Sequence, residues 1–341
     1  MTKKIATVSI LASILLVVIS AIAAHFAKML CTPVTKIDNC RIFIHESDTR
    51  ESVLRMISET DPSAATEGLG LWMKFKDTAI RPGCYVIPAG KNARDITNML
   101  SSGSQTPVRL VINSARTVGQ MAGSISSQLM MDSLQMVRCL TDAAFLDSAG
   151  YTPQTVFCAI IPNTYEVWWT VTPEALMARL IKESEKFWNA SRKEKARQTG
   201  LSNNEILTLA SIVEEETSLV SDMPVIAGLY MNRLKMNMPL QSDPTVIFAL
   251  GGERPKRVLK EHLEIDSPYN TYKHTGLPPA PIRFASIQAI DAVLNYAHHN
   301  YLYMCASDKL DGHTNFAATL AQHNINARRY QRALSQAGIY R

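Results

Sequence analysis

The chain has 341 residues, of which 46% are hydrophobic and 19% are charged, a composition typical of globular proteins with two or three domains. Its net charge of +5 is modest, and because no basic run accompanies it, nucleic acid is excluded as an expected partner. A mildly basic surface of this kind suits an anionic polymer or a membrane.

The N-terminus carries a candidate membrane span. Lys3 and Lys4 precede residues 5–24, which contain no charged side chain, and such a run is long enough to cross a bilayer as a helix. The two lysines favour an N-terminus inside and the remainder of the chain outside the cytoplasm. A cleaved signal peptide, with Ala21 and Ala23 at the cleavage site, is the alternative. Because the apolar run exceeds a typical signal core, we favour an uncleaved anchor.

None of the six cysteines shows the spacing of a metal site, and we expect neither a metal nor a cofactor. Cys31 and Cys40 are a candidate disulfide outside the cytoplasm, which the sequence does not decide. The other cysteines lie in apolar runs and are expected to be small buried hydrophobes, namely Cys84, Cys139, Cys158 and Cys305. A zinc site is disfavoured because no carboxylate spacing supports its candidate ligands, which are His298, His299, His313 and His323.

Residues 42–105 show a strand, helix, helix, strand pattern. Alternation predicts a strand at 41–45, helical spacing begins at residue 52, and a second strand follows at 83–87. A short helix at 92–100 comes next. A segment of this size buries little core by itself, so a binding module and a structural spacer are both open.

The following segment mixes strand and helix. Its elements are a strand at 108–112, helical stretches at 118–131 and 133–145, and a long helix that begins at Thr172 and Pro173 and ends before Gly200. Trp168 and Trp169 are adjacent in a predicted strand and point to opposite sides of it. At least one of the two is therefore expected in the core.

The most informative stretch begins at Ser202. Ser202 and Glu205 have the spacing of a capping box, so a helix is predicted to start here. Further along, Leu209, Ile212 and Val213 fall on one apolar stripe of that helix.

Three adjacent carboxyls end this helix. Glu216 projects from the apolar stripe, whereas Glu214 and Glu215 are predicted to face solvent. A desolvated carboxyl at the negative end of a helix should have a raised pKa, which suits a general acid near neutral pH. From periodicity alone, a functional acid and an ordinary solvated last turn are both open for Glu216.

Downstream, residues 223–236 predict another helix, and Asp243 is the expected N-cap of the next because Pro244 follows it. The loop at 268–281 is stiffened by prolines and carries tyrosines and amide donors, as loops that line clefts commonly do. The last elements are a strand, a turn and a helix, at 301–305, at 311–313 and around His323.

Several of these residues resemble one known family. The matching runs, in order, are LASIVEEET at 209–217, NRL at 232–234, LQSDPTV at 240–246, YNTY at 269–272, GLPP at 276–279 and GH at 312–313. Together they resemble the MltG/YceG endolytic murein transglycosylases, over a region from about residue 40 to the C-terminus. Several motifs in the right order are far more specific than any one of them.

The resemblance implies an α+β fold with an N-terminal transmembrane helix, a small LysM-like βααβ module and a mainly helical α+β catalytic domain. The implied boundaries are 1–30 for the transmembrane anchor, 40–106 for the LysM-like module, 107–200 for a connecting α+β region and 201–341 for the catalytic transglycosylase region.

The resemblance also implies a site. The second Glu of the family's Glu-x-Glu-Thr motif is the catalytic acid and corresponds to Glu216, which the helical phase selects independently. Glu214 and Glu215 are then the solvated pair. Matching positions expected to bind substrate at the edge of the cleft are Gln241, Tyr269, Asn270, Tyr272 and Gly276.

The implied function is cleavage of the glycosidic bond between N-acetylmuramic acid and N-acetylglucosamine in nascent peptidoglycan, leaving a 1,6-anhydro end. The implied location is the cytoplasmic membrane, crossed once, and the implied partners are glycan strands and the membrane, with cell-wall synthases as candidates. Two alternatives remain. One is a hydrolase in which Asp243 directs water, and the other is a non-catalytic, membrane-tethered, glycan-binding scaffold.

Overall fold

The computed structural model describes residues 2–251, 255 and 258–339, with side chains from residue 13 onward. The fold is α+β and about half helical. The chain forms two compact units, the first from Met1–Leu110 and Glu166–Val171 and the second from Val111–Tyr165 and Thr172–Arg341.

The first unit begins with a long apolar helix and continues into a small α/β module. Its elements are α1 (Thr2–Cys31), β1 (Cys40–Ile44), α2 (Arg50–Thr60), α3 (Thr66–Phe75), β2 (Gly83–Ile87) and α4 (Ala93–Ser102). The strands β1 and β2 pair antiparallel, with Cys40 opposite Ile87 and Ile44 opposite Gly83. The predicted order of strand, helix, helix and strand is therefore confirmed.

Within α1, the segment Ser13–Cys31 has a mean hydropathy of 2.2 and none of it is buried in the protein. A helix of this length and composition fits either a membrane anchor or a signal sequence. Cys31 is exposed, Cys40 is buried, and all six cysteines are free. Cys84, Cys139 and Cys158 are buried as expected, whereas Cys305 is only partly buried.

The strands β3 (Val108–Val111) and β4 (Thr164–Val167) pair with each other, and the boundary between the units falls inside both. The remaining elements belong to the second unit and are α5 (Val118–Ser126), α6 (Ser133–Thr141), α7 (Ala143–Ser148), α8 (Pro173–Phe187), α9 (Ala190–Thr199), α10 (Asn203–Glu216), α11 (Met223–Lys235), α12 (Asp243–Ala249), α13 (Ile287–Leu294), β5 (Tyr303–Ala306), β6 (Thr314–Ala317) and α14 (Leu320–Gln336), with short 3₁₀ turns at Val156–Cys158 and Lys260–Glu264.

The core of the second unit is built around α10, which packs on α11 and α13. Every residue of α10 in the range 206–213 is buried, so the helix has no solvated face over these turns. The close approach of α11 to the following chain requires a glycine, because a Cβ at Gly228 would lie 2.2 Å from the carbonyl oxygen of Ala297.

Two predicted helices are broken by capping residues. The helix expected from Thr172 to before Gly200 is divided into α8 and α9, because Asn189 caps α9 by accepting the N–H of Arg192 at 3.1 Å. The stretch at 133–145 is divided at Asp142, whose carboxylate accepts the N–H of Phe145 at 2.8 Å. Cap residues inside a helical pattern were the missed signal.

The prediction that Asp243 is the N-cap of α12 was wrong. The cap residue is Ser242, and Asp243 is the first residue of the helix with Pro244 behind it. The Ser242 side chain makes no capping hydrogen bond, and its hydroxyl points to Glu216 instead.

Candidate active site

Glu216 is the last residue of α10, and its carboxyl accepts hydrogen bonds from two hydroxyl groups. The helix begins as predicted, with a reciprocal capping box between Ser202 and Glu205. At its other end, Tyr230 Oη of α11 donates to Glu216 Oε1 at 2.7 Å, and Ser242 Oγ donates to the same oxygen at 2.6 Å. Two donors on Oε1 fix the orientation of the carboxyl group and leave Oε2 as the oxygen without these bonds.

The environment of Glu216 favours its protonated form. Burial is the largest influence and raises the pKa of Glu216. The hydrogen bonds from Ser242 and Tyr230 lower the pKa, as does the charge of Arg233, while the charge of Asp243 raises it. The outcome is a pKa above the usual value for Glu, so a larger share of the protein carries the acid form as the pH approaches neutrality.

Glu216 opens onto a cavity of about 500 Å³. Its walls come from α11, from the turn before α12, from the loop around Tyr272, from β5, and from the turn at 312–314. The side chains are mostly polar, and several of them donate hydrogen bonds or carry charge. This composition suits a hydrated, hydroxyl-rich ligand better than an apolar one.

Arg233 fixes several pieces of this wall. It is 7% exposed, and its guanidinium donates to the carbonyl oxygen of Leu302 at 2.7 Å and to that of Leu240 at 2.6 Å. These bonds join α11 to the strand β5 region and to the turn that carries Ser242. Arg233 thus positions the walls as well as lowering the pKa of Glu216.

Gln241 and Tyr272 line the cavity together with Asp243. Gln241 has a φ of 52°, in the left-handed region, and its N–H donates to the Thr271 carbonyl at 3.0 Å. Tyr272 Oη donates to Asp243 Oδ1 at 2.5 Å. Burial and this bond to Asp243 both raise the pKa of Tyr272, so it remains a donor at neutral pH.

The other residues predicted at the cleft do not appear among the described residues that line this cavity. Tyr269 packs on Phe248 with ring centroids 4.7 Å apart. Asn270 is fully buried and its amide donates to carbonyls of its own loop, at Leu263 and Ile265, while its oxygen accepts the N–H of Tyr272. Gly276 has a φ of 85°, which suits glycine. Asn270 therefore shapes the loop that presents Tyr272.

The prediction that Glu214 and Glu215 form a solvated pair was wrong. Their side chains are 13% and 7% exposed. Glu215 Oε1 lies 2.7 Å from Arg283 Nη1 and 2.7 Å from Arg116 Nε, and Glu214 accepts the N–H of Ser286 at 2.7 Å. Because α10 is buried on all sides, residues turned away from its apolar stripe meet other parts of the core rather than water.

The histidines considered for zinc are dispersed. His313 Nδ1 lies 2.9 Å from Asp222 Oδ1 at the rim of the cavity, and Asp222 also accepts the N–H of Thr314 at 3.0 Å. His299 bonds to the carbonyl of Val225, and His323 stacks on Tyr303. The described part of the chain contains no group of three or more His, Cys, Asp or Glu side chains arranged around a common point.

Sequence reasoning did not single out Tyr230, Ser242 or Asp222. The positions 230 and 242 lie 14 and 26 residues from Glu216, and neither has a local pattern that marks a polar contact. Ser242 falls within the LQSDPTV run that carries the family resemblance, but the sequence did not predict that its hydroxyl contacts Glu216.

Comparisons with known proteins identify sequences that are similar to this chain. The sequence profile of the YceG-like family matches residues 42–329. A Bacillus subtilis protein named endolytic murein transglycosylase is 30% identical over 326 residues, which cover 89% of each chain. A Streptococcus pneumoniae protein of the same name is 28% identical over 291 residues, or 75% of this chain and 52% of that one.

A solved structure shows that the fold is similar as well. The crystal structure of a YceG-like protein from Listeria monocytogenes superposes with a TM-score of 0.57 at 28% sequence identity, over 84% of this chain and 97% of that one.

Proposed function

Because the chain belongs to the YceG-like family, we propose that it is a membrane-anchored endolytic murein transglycosylase. It cleaves the bond between N-acetylmuramic acid and N-acetylglucosamine within peptidoglycan strands and leaves a 1,6-anhydro end. The relatives of that name support the reaction. The observation that carries the assignment to a residue is the carboxyl of Glu216, with its raised pKa, at the wall of a polar cavity.

In the first step Glu216, protonated, donates its proton to the glycosidic oxygen. The bond from that oxygen to C1 of the muramoyl sugar breaks as an oxocarbenium-like centre develops, and the leaving sugar departs with a new hydroxyl. Because Oε1 is held by Tyr230 and Ser242, Oε2 is the oxygen that carries the proton.

In the second step the Glu216 carboxylate accepts the proton of the muramoyl C6 hydroxyl. The oxygen of that hydroxyl forms a bond to C1, which closes the 1,6-anhydro ring and regenerates protonated Glu216. The proton passes from one substrate oxygen to the other, and no water is consumed. One carboxyl is sufficient, whereas a hydrolase normally uses two.

Tyr272 and Asp243 act as a pair in this reaction. The Asp243 charge raises the pKa of Glu216, which keeps the acid form available, and its bond from Tyr272 holds both side chains at the cavity wall. Hydroxyl and amide groups on this wall, including Gln241, orient the sugar and its C6 hydroxyl. A direct sugar contact by Tyr269 or Gly276 remains a prediction. Asn270 was predicted to bind substrate, but it is fully buried, so it acts through the loop that it shapes.

The first unit supplies attachment and a second contact with the substrate. We propose that α1 remains in the cytoplasmic membrane with its N-terminus inside, since Lys3 and Lys4 precede the span. The βααβ order of the module fits a LysM-like glycan-binding module. The substrate strands lie outside the cytoplasm, where membrane-bound synthases make them, and these synthases are the candidate protein partners.

Mass analysis of the products from the purified full chain tests the proposal. Wild type should release fragments with 1,6-anhydromuramic ends from uncrosslinked glycan strands. Glu216→Gln should reduce turnover by a factor on the order of 10³ or more, because the variant lacks the proton donor.

The matched control is Glu185→Gln, an exposed carboxyl on α8 of the same unit, which should retain wild-type turnover. Reducing ends in place of anhydro ends would identify a hydrolase with Asp243 as the water-directing carboxylate. Unchanged cleavage by Glu216→Gln would remove Glu216 from the mechanism.

A further inference from the structure

The helix α3 has two apolar faces, and only one of them is used inside the module. Leu69 and Met73 are fully buried in the core of the first unit. On the other side, Leu71 is 43% exposed and Phe75 is 76% exposed. A phenylalanine this exposed on a short helix needs an explanation, because its ring is more stable out of water.

Leu71 and Phe75 form a continuous surface with Trp72, which is half-buried and also packs against the core of the module. The side chains of Trp72 and Phe75 stack with ring centroids 5.7 Å apart, and Leu71 lies beside them at helical spacing. We call the three residues Leu71, Trp72 and Phe75 the outer face of α3. Lys76 lies over the Trp72 ring at 5.2 Å, and Lys74 is exposed on the other flank.

The outer face points to the same side as the end of α1. Gly68 lies three, four and seven residues before the members of the outer face, so it shares their side of the helix. At Gly68 the chain touches the last turn of α1, because a Cβ there would lie 2.7 Å from the carbonyl oxygen of Met29. The side of α3 that meets α1 therefore continues outward as the apolar outer face.

The position of Met29 sets the level of this surface relative to a bilayer. The uncharged run of α1 ends at Ala24 and Lys28 follows it. Met29 therefore lies about 7 Å along the helix beyond that run, within the headgroup layer of a bilayer that α1 spans. Phe75 is seven residues beyond Gly68, or roughly 10 Å along α3. Aromatic side chains flanked by lysines are the residues that proteins place in this layer.

From these contacts we infer that the outer face of α3 lies in the lipid headgroup layer beside α1, with Leu71 and Phe75 against the acyl chains and Lys74 and Lys76 toward anionic headgroups. This inference rests on the proposed membrane anchor. The charges of Lys74 and Lys76 match an anionic lipid surface, and the neighbouring Asp77 is paired with Arg50. Lys28 of α1 adds a further positive charge at the same end of the span. The contact would fix the orientation of the first unit on the membrane in addition to tethering it.

Photo-crosslinking in nanodiscs of phosphatidylcholine and phosphatidylglycerol tests the inference with the full chain. Benzoylphenylalanine in place of Phe75 should form severalfold more lipid adduct, measured by mass spectrometry, than the same residue in place of Trp168. Trp168 is a suitable control because it is an aromatic side chain of the same unit that is 51% exposed.

A second readout uses the native tryptophan. Brominated lipids should quench part of the fluorescence of the wild type, and Trp72→Phe should lose that quenchable part, because this substitution keeps an aromatic ring and removes only the indole.

The outcomes separate the inference from its premise. A chain that keeps α1 in the nanodisc, by intact mass, but gives equal adduct at positions 75 and 168 overturns the lipid contact and leaves the anchor standing. Adducts of position 75 with a second copy of the chain or with added glycan also overturn it, in favour of self-association or sugar binding. A chain that has lost its N-terminal residues and left the nanodisc overturns both.

Discussion

At the scale of single residues, the contacts of Glu216 have opposite effects on its pKa, and they can be removed one at a time. Ser242→Ala deletes a hydrogen bond that stabilises the carboxylate, so the pKa of Glu216 should rise. Asp243→Asn deletes a negative charge that destabilises the carboxylate, so the pKa should fall. Because Ser242 makes no side-chain capping bond, its substitution should leave α12 intact.

These shifts should be visible in the pH dependence of kcat/KM. The first step needs protonated Glu216, so activity falls as the pH rises through its pKa, and this alkaline limb reports the group in the free enzyme. The limb should move to higher pH in Ser242→Ala and to lower pH in Asp243→Asn, while Glu185→Gln should match the wild type. If the alkaline limb moved in the same direction in Ser242→Ala and in Asp243→Asn, its assignment to Glu216 would be contradicted.

At the scale of elements, the C-terminal turn of α10 depends on residues from distant parts of the chain. Three carboxyls at the negative end of a helix are unfavourable unless cations offset them. Arg283 offsets the negative charge, because its guanidinium lies 2.7 Å from Glu215 and 3.5 Å from Glu214. The same guanidinium also donates a hydrogen bond to Ser114. This cluster joins α10 to the segment before α5 and to the chain leading into α13.

Arg283→Met should therefore destabilise the protein strongly. It takes the Arg283 cation from the largely buried Glu214 and leaves Glu215 with Arg116. The cost is on the order of 3 kcal/mol, which corresponds to a fall of roughly 6–12 °C in the thermal midpoint for a unit of this size. Thermal unfolding measured by circular dichroism is the test. Arg179→Met is the matched control, because Arg179 pairs with Glu183 on the surface of α8 at 48% exposure and should shift the midpoint by about 1 °C. Equal effects of the two substitutions would contradict the structural role given to Arg283.

The helix α10 shows what a sequence can and cannot predict. The capping box of Ser202 and Glu205 is local, so the start of α10 was predicted correctly. The prediction from the amphipathic stripe assumed that one face of α10 is exposed to solvent. That assumption failed because α11 and α13 cover the helix on several sides. The family motif selected Glu216, but the partners Tyr230 and Ser242 are set by tertiary packing, which no local pattern records. The helix α13 and the strand β6 were missed.

At the scale of the whole molecule, the first unit is not a continuous stretch of chain. Residues Glu166–Val171 belong to it although they come after a long part of the second unit. Trp169 is 7% exposed, and its ring lies 5.1 Å from that of Phe43 and 4.8 Å from that of His45. A bond from Gln105 Nε2 to Thr170 Oγ1 at 3.0 Å ties the same segment to the end of the module.

The two adjacent tryptophans of this segment should therefore differ sharply. Trp169→Ala removes a buried ring from beside β1 and should cost about 3–5 kcal/mol, with faster amide hydrogen exchange in β1 and β2. Trp168→Ala removes a ring that is 51% exposed and should change stability by no more than about 0.5 kcal/mol. Hydrogen exchange by mass spectrometry on the full chain resolves these strands from the rest. Equal exchange in the two variants would mean that the module is complete without Glu166–Val171, whereas the expected difference would show that the returning segment is part of its core.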